Sequence, residues 1–244
     1  MANISDQSRP PLRLLIREGL ALGSRFWRGF GRLGERGPAE GPPLMVLPGF
    51  LANDRTTLGL QRALAGAGYR VAGWGLGFNR GATPDLLERV AARIERHGRG
   101  RPVILVGWSL GGIIAREVAK LRPDLVDKVV TMGTPFSGDP HWTNAWRLYE
   151  IVAGHKVDSP PIETRLAEKP PVPTLAIWSR RDGVIAPACA RGRAGESDKQ
   201  VELDCGHMDF GVSGRAFPKI VEAIRAFQRP LLPDRGFAKV GRGE

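Results

Sequence analysis

The stretch that most constrains this chain runs from Arg101 to Lys120. In it an apolar, β-branched run, Val103 to Val106, stops at Gly107, and Ser109 follows two residues later. Gly111 and Gly112 then open a segment with Leu110, Ile114, Val118 and Leu121 at helical spacing. The order is strand, sharp turn, helix, with a serine on the turn. Residues Gly107 to Gly111 spell G-x-S-x-G. A serine on so tight an elbow has a crowded backbone, and glycine two positions to either side removes the side chains that would collide. The hydroxyl then stands at a helix N-terminus, whose amide dipoles favour developing negative charge.

Similar alternation recurs along the chain. Short apolar strands are expected at Leu44 to Leu47, Tyr69 to Trp74, Val103 to Val106, Lys128 to Met132, Thr174 to Trp178 and Gln200 to Asp204. Between them lie helical segments: Thr56 to Ala67, one opened by Thr83 as cap with Pro84 in first place, and a last one with Phe217, Ile220, Val221, Ile224 and Phe227 on one face. Six apolar strands separated by helices predict an α/β fold: a mostly parallel, doubly wound sheet. A chain of 244 residues is enough for one such domain, here 41–230, preceded by a basic segment 1–40 and followed by a tail 231–244. Its 32 glycines and 20 prolines fall between the apolar runs and punctuate them. One connection is far longer than the rest. The interval 133–173 carries Trp142, Trp146 and Tyr149 at helical spacing, and reads either as a cap over the site or as ordinary core.

The formal charge of +11 raises the question of nucleic acid. Between residues 9 and 36, seven arginines (Arg9, Arg13, Arg17, Arg25, Arg28, Arg32, Arg36) face Glu18 and Glu35, an excess of five. The remaining charge is scattered, with no zinc spacing and no basic-aromatic repeat, so no nucleic-acid partner is expected. Leu12, Leu15, Ile16, Gly19, Leu20, Phe26, Trp27 and Phe30 make a rough stripe with arginines mostly off it. A helix of this kind either covers an edge of its own domain or lies on an anionic membrane, with 9–36 as the contact. No apolar run is long enough to span a bilayer, and charges interrupt the only signal-like stretch, so the expected location is cytoplasmic or membrane-peripheral. The loop Gly75 to Arg80 imitates a dinucleotide fingerprint, but arginine stands where the third glycine belongs.

A serine hydroxyl is a weak nucleophile until a base takes its proton and a third group orients that base. Of four histidines, His207 sits in the loop after the last expected strand; His97 ends a helix and reads as solvent-facing, and His141 and His155 belong to the long interval. In a parallel sheet the loops at the strands' carboxyl ends share one edge, where ligands bind. The same rule selects Asp182, after the fifth strand, as the acid, with Asp204 and Asp209 as weaker options.

The order serine, acid, histidine, with Gly-Trp-Ser109-Leu-Gly between strand and helix, resembles the α/β-hydrolase superfamily. Leu47-Pro-Gly-Phe50, Gly133-Thr-Pro135 and Ser179-Arg-Arg-Asp182-Gly-Val-Ile185 resemble its bacterial lipase and esterase-like members, over Leu44 to Phe227. The resemblance implies an oxyanion hole from the backbone N–H groups of Phe50 and Leu110. It also implies a serine carboxylic-ester hydrolase with Ser109, Asp182 and His207 as triad, no metal and no organic cofactor. A small ester or lipid would bind near Leu51, Trp108, Trp142 and Trp146. Acyl transfer to an alcohol by the same triad, and a peripheral membrane-binding module, are the alternatives. The chain departs from the family pattern in two places: Pro48 stands where many members have histidine, and the usual leading pair of strands has no counterpart before Leu44. In related sequences a pair placed like Cys189 and Cys205 can be bridged, whereas a cytosolic compartment would keep both thiols reduced. Oligomeric state is left open by the sequence.

Overall fold

Every residue of Val103–Trp108 (β3) is buried, and this strand lies near the middle of a six-stranded sheet. Its companions are Pro43–Leu47 (β1), Arg70–Gly73 (β2), Val126–Met132 (β4), Thr174–Trp178 (β5) and Lys199–Glu202 (β6). They are ordered β2-β1-β3-β4-β5-β6, with every neighbouring pair parallel. The computed structural model describes residues 9–23, 34–144, 146, 149–150, 154, 156 and 165–228.

Successive side chains of a strand point to opposite faces, and both faces here are apolar. Leu44, Val46, Ile104, Val106, Val130, Met132, Leu175 and Ile177 pack under Leu58–Gly66 (α2) and Phe217–Gln228 (α7). Met45, Leu47, Val103, Leu105 and Val129 pack under Leu86–Gly98 (α3) and Leu110–Leu121 (α4). Each such side chain, fully buried, contributes about 1.5–3 kcal/mol. Helical crossovers between parallel strands cover both faces of the sheet, which is why continuous apolar runs and helical intervals predict this architecture.

Some boundaries move. The helix expected from Thr83-Pro84 begins only at Leu86: the Thr83 hydroxyl donates to Asp85 Oδ1 at 2.7 Å, and Leu86 N–H closes a turn onto Thr83 O at 3.0 Å. Upstream of β1, among the described residues, the sheet meets one bridge, Arg36 pairing antiparallel with Val71 on the edge strand. In the 133–173 interval, Trp142 does not share a helix with Trp146 and Tyr149. It ends a 3₁₀ turn, Pro140–Trp142, after which Thr143 pairs antiparallel with Ile185 beside the acid loop.

The N-terminal helix, Leu12–Gly23 (α1), packs on the short helix His207–Gly211 (α6), which follows the equally short Pro187–Arg191 (α5). Its inner side is Leu14, Leu15 and the buried Glu18, whereas Leu12 and Ile16, expected on the packed stripe, are 67% and 59% exposed. Phe26, Trp27, Phe30, Arg25, Arg28, Arg32 and the 231–244 tail lie outside the described residues. Among the described residues no helix is long and apolar enough to cross a membrane.

Candidate active site

The sheet register brings Leu47, Gly107 and Thr131 side by side, so the segments leaving β1, β3 and β4 emerge together. Ser109 is the residue between β3 and α4. Its φ of 54° and ψ of −123° put a non-glycine residue in a sparsely populated region, a strain of order 1–3 kcal/mol. The surroundings hold it there: Ser109 N–H donates to Met132 O at 2.9 Å, and Gly112 N–H donates to Ser109 O at 3.0 Å. The flanking glycines are required by close approach. A Cβ on Gly107 would lie 2.4 Å from Gly112 Cα, and one on Gly111 would lie 2.3 Å from Leu47 O.

The turn after β1 adjoins the serine, since a Cβ on Gly49 would stand 3.2 Å from Ser109 Cβ. Among the described residues, neither Phe50 N–H nor Leu110 N–H donates to a protein acceptor. Two backbone donors at the serine are thereby left for a ligand oxygen. The turn is pinned by a residue that sequence reasoning passed over. Asn79, fully buried in the loop after β2, donates from Nδ2 to Pro48 O at 2.8 Å, accepts from Leu51 N–H at 2.7 Å on its backbone carbonyl, and donates its own N–H to Ala52 O at 2.8 Å. A loop that reads as a failed nucleotide fingerprint offers no local sign of that duty.

Asp182 and His207 meet directly. Asp182 Oδ2 lies 2.8 Å from His207 Nδ1, and Oδ1 accepts from Val184 N–H and Ile185 N–H, both at 2.8 Å. The carboxylate is thus fixed on both oxygens, and Asp182 and His207 are only 1% and 4% exposed. Burial by itself would depress the imidazole pKa, but the charge and hydrogen bond of Asp182, joined by the charge of Glu18, outweigh it and hold the value above the ordinary range. The histidine backbone is tied to the elbow: Trp108 Nε1–H donates to His207 O at 3.1 Å, and the two rings lie 5.7 Å apart. Trp108 thus ties the elbow to His207, and among the described residues Ser109 Oγ makes no hydrogen bond to the imidazole. Such bonds are often loose before substrate binds.

The other acids are engaged elsewhere, Asp204 with Arg181 at 3.0 Å and Asp209 with Gly206 N–H at 2.9 Å. His141 pairs with Asp139 at 3.0 Å, and His155 lies outside the described residues. His97 is not solvent-facing: it is buried, 2.7 Å from Glu35 and 3.1 Å from Arg70 O, partners from distant parts of the chain. Among the expected pocket residues, Leu51 is exposed in the turn after β1, and the Phe50 ring lies 5.2 Å from that of Tyr149. Trp108 is buried in the core, Trp142 packs with Trp178, Ile185 and Cys189, and Trp146 lies between His141 and Arg9. Cys189 and Cys205 are free and buried in separate clusters, and burial pushes both thiols up to about 12.

A parallel sheet with a strained serine elbow after its central strand, and an acid and a histidine on the neighbouring strand ends, defines the α/β-hydrolase fold. The family model described as alpha/beta hydrolase fold matches residues 42–159, and the chain has that fold. No curated protein matches it by sequence. Among solved structures, a membrane phospholipase A described as a bacterial virulence factor is similar with a TM-score of 0.59 at 18% identity, over 88% of this chain and 91% of that one. A lipase-esterase related protein from Clostridium acetobutylicum gives 0.56 at 17%, over 80% and 98%. Naproxen esterase from Bacillus subtilis gives 0.54 at 12%, over 88% and 97%. At these identities the likeness is one of fold.

Proposed function

We propose that the protein is a serine hydrolase of carboxylic esters, working through an acyl-enzyme on Ser109. The observation that carries this is the buried Asp182–His207 pair beside a strained serine elbow. Ser109 Oγ attacks the ester carbonyl carbon and its proton passes to His207 Nε2. The carbonyl oxygen becomes an oxyanion held by the N–H groups of Phe50 and Leu110, each such donor contributing about 3–4 kcal/mol. As the C–O bond breaks, the imidazolium returns the proton to the leaving alcohol. Water, deprotonated by the same imidazole, then frees the acid and restores the serine. Asp182 holds Nδ1–H and stabilises the imidazolium. Phe50, Leu51 and Tyr149 offer an apolar contact for the acyl group. The test is turnover of p-nitrophenyl esters by wild type and by Ser109→Ala: activity in the first alone supports the reading, and equal rates defeat it.

A second reading concerns location. Leu12 and Ile16 stand exposed one helical turn apart, flanked by exposed Arg13 and Arg17. Apolar side chains bracketed by cations fit an anionic bilayer surface. Sedimentation with phosphatidylglycerol vesicles tests it: binding is expected in wild type and Ser109→Ala, and is lost in Leu12→Asp/Ile16→Asp. Equal binding by the double variant counts against it.

A further inference from the structure

Glu18 is an acid buried to 6% exposure on a helix whose other described charges face solvent. Among the described residues its carboxylate reaches neither arginine nor lysine. Oε1 accepts from His207 N–H at 2.6 Å and from Gly183 N–H at 3.3 Å, and Oε2 accepts from Met208 N–H at 3.0 Å. Gly183 directly follows Asp182, so one side chain bridges the loop of the acid and the loop of the histidine. The N–H groups at the start of α6 have no partner within that helix, and burying them unpaired would destabilise the fold.

The two loops are shaped for this approach. A Cβ on Gly183 would lie 2.5 Å from the backbone of Leu14, and one on Gly206 would lie 2.6 Å from Glu18 Oε1. Asn144 adds a further tie, donating to Pro10 O at 3.0 Å and to Gly183 O at 2.8 Å. The N-terminal helix is therefore seated on the back of the catalytic loops through the buried charge of Glu18.

We infer that Glu18 is a positioning residue of the active site, which sets the spacing of Asp182 and His207 by clamping both their loops. This rests on the triad reading above. The clamp acts on the ring through geometry and through charge. Asp182 faces the imidazole from the loop after β5, and Glu18 faces the segment from α1. On the histidine's own segment, Asp209 is bonded to Gly206, Asp204 to Arg181, and Cys205 is neutral, its thiol pushed up to about 12. Trp108, from the elbow side, is uncharged. The Glu18 charge is one of the contributions that hold His207 up.

Glu18→Gln keeps the shape but turns one acceptor into a donor against a backbone N–H and removes the charge. The expected result is a fall in kcat of at least tenfold per active site, counted by fluorophosphonate titration, with KM nearly unchanged. The His207 midpoint, followed by NMR of the imidazole and by the pH profile of kcat/KM, moves down. A merely structural role would lower Tm and the fraction of active sites, leaving kcat per site and the midpoint alone; that result overturns the inference. If Glu18→Gln does not fold, Gly206→Ala, whose methyl group displaces the carboxylate while its charge stays in the chain, is measured by the same two readouts with the same loss of kcat expected. Ser109→Ala, run alongside, separates the failures. Activity equal to wild type there overturns the triad itself, whereas an unchanged Glu18→Gln beside an inactive Ser109→Ala overturns only the clamp.

Discussion

Asp182 Oδ2 and His207 Nδ1 lie 2.8 Å apart between loops that are 25 positions apart in the chain, with both side chains almost sealed from solvent. A buried carboxylate there fixes the tautomer, because Nδ1 must carry the proton that it donates, leaving Nε2 free to act as the base that the proposed mechanism requires. Asp182→Asn keeps the volume but favours the wrong tautomer. Esterase kcat is expected to fall by about 10³–10⁴-fold with little change in fold, read by steady-state kinetics beside circular dichroism.

The pH profile follows from the sign of the His207 shift. Its folded pKa is raised above the ordinary value of about 6.5, and general-base catalysis needs the neutral ring. Activity should rise with pH through a midpoint above about 6.5. Linkage runs the other way: the stabilisation from the imidazolium pair is complete below the unfolded value and is lost as pH rises through the folded one. A kcat/KM profile with its midpoint at or below about 6.5 would contradict the assignment.

In the proposed mechanism Asn79 supports the turn that carries an oxyanion donor and takes no part in the proton transfers among Ser109, His207 and the ester. Asn79→Ala removes the bond to Pro48 O and lets the turn carrying Phe50 N–H relax. Since full loss of an oxyanion donor costs about 10²–10³-fold, roughly 10–100-fold in kcat is expected from misplacing one, with KM changed less. A kcat equal to wild type would show that the turn is held by other means.

Both cysteines are free, and burial pushes each thiol up to about 12, so neither forms thiolate near neutral pH. An aromatic disulfide reagent at mildly alkaline pH should leave the native protein unlabelled and react with both Cys189 and Cys205 in denaturant. Rapid reaction of the native protein would contradict their burial, and failure of either to react in denaturant would reveal a bridge.

The strands and the elbow are legible in the sequence because their determinants are local: apolar runs of strand length, and glycines where the backbone must pass closely. Ser109, Asp182 and His207 fall on one edge because a parallel sheet delivers its strand ends together. What escapes is what depends on distant partners. His97 looks like a polar helix end, yet Glu35 and Arg70 bury it. Glu18 looks like one acid on a basic helix, and its partners are backbone N–H groups 165 to 190 residues away. Periodicity also misleads at Trp142, where Pro140 and the pairing of Thr143 with Ile185 favour a 3₁₀ turn over a continuous helix.

The most direct test of Ser109 as an activated nucleophile is covalent labelling by a fluorophosphonate, mapped by peptide mass spectrometry. An activated serine reacts because its base and oxyanion donors are in place, whatever the natural ester. Stoichiometric attachment at Ser109 is predicted, abolished in Ser109→Ala and strongly slowed in Asp182→Asn. Attachment at another residue, or no labelling of the folded wild-type protein, would contradict the triad.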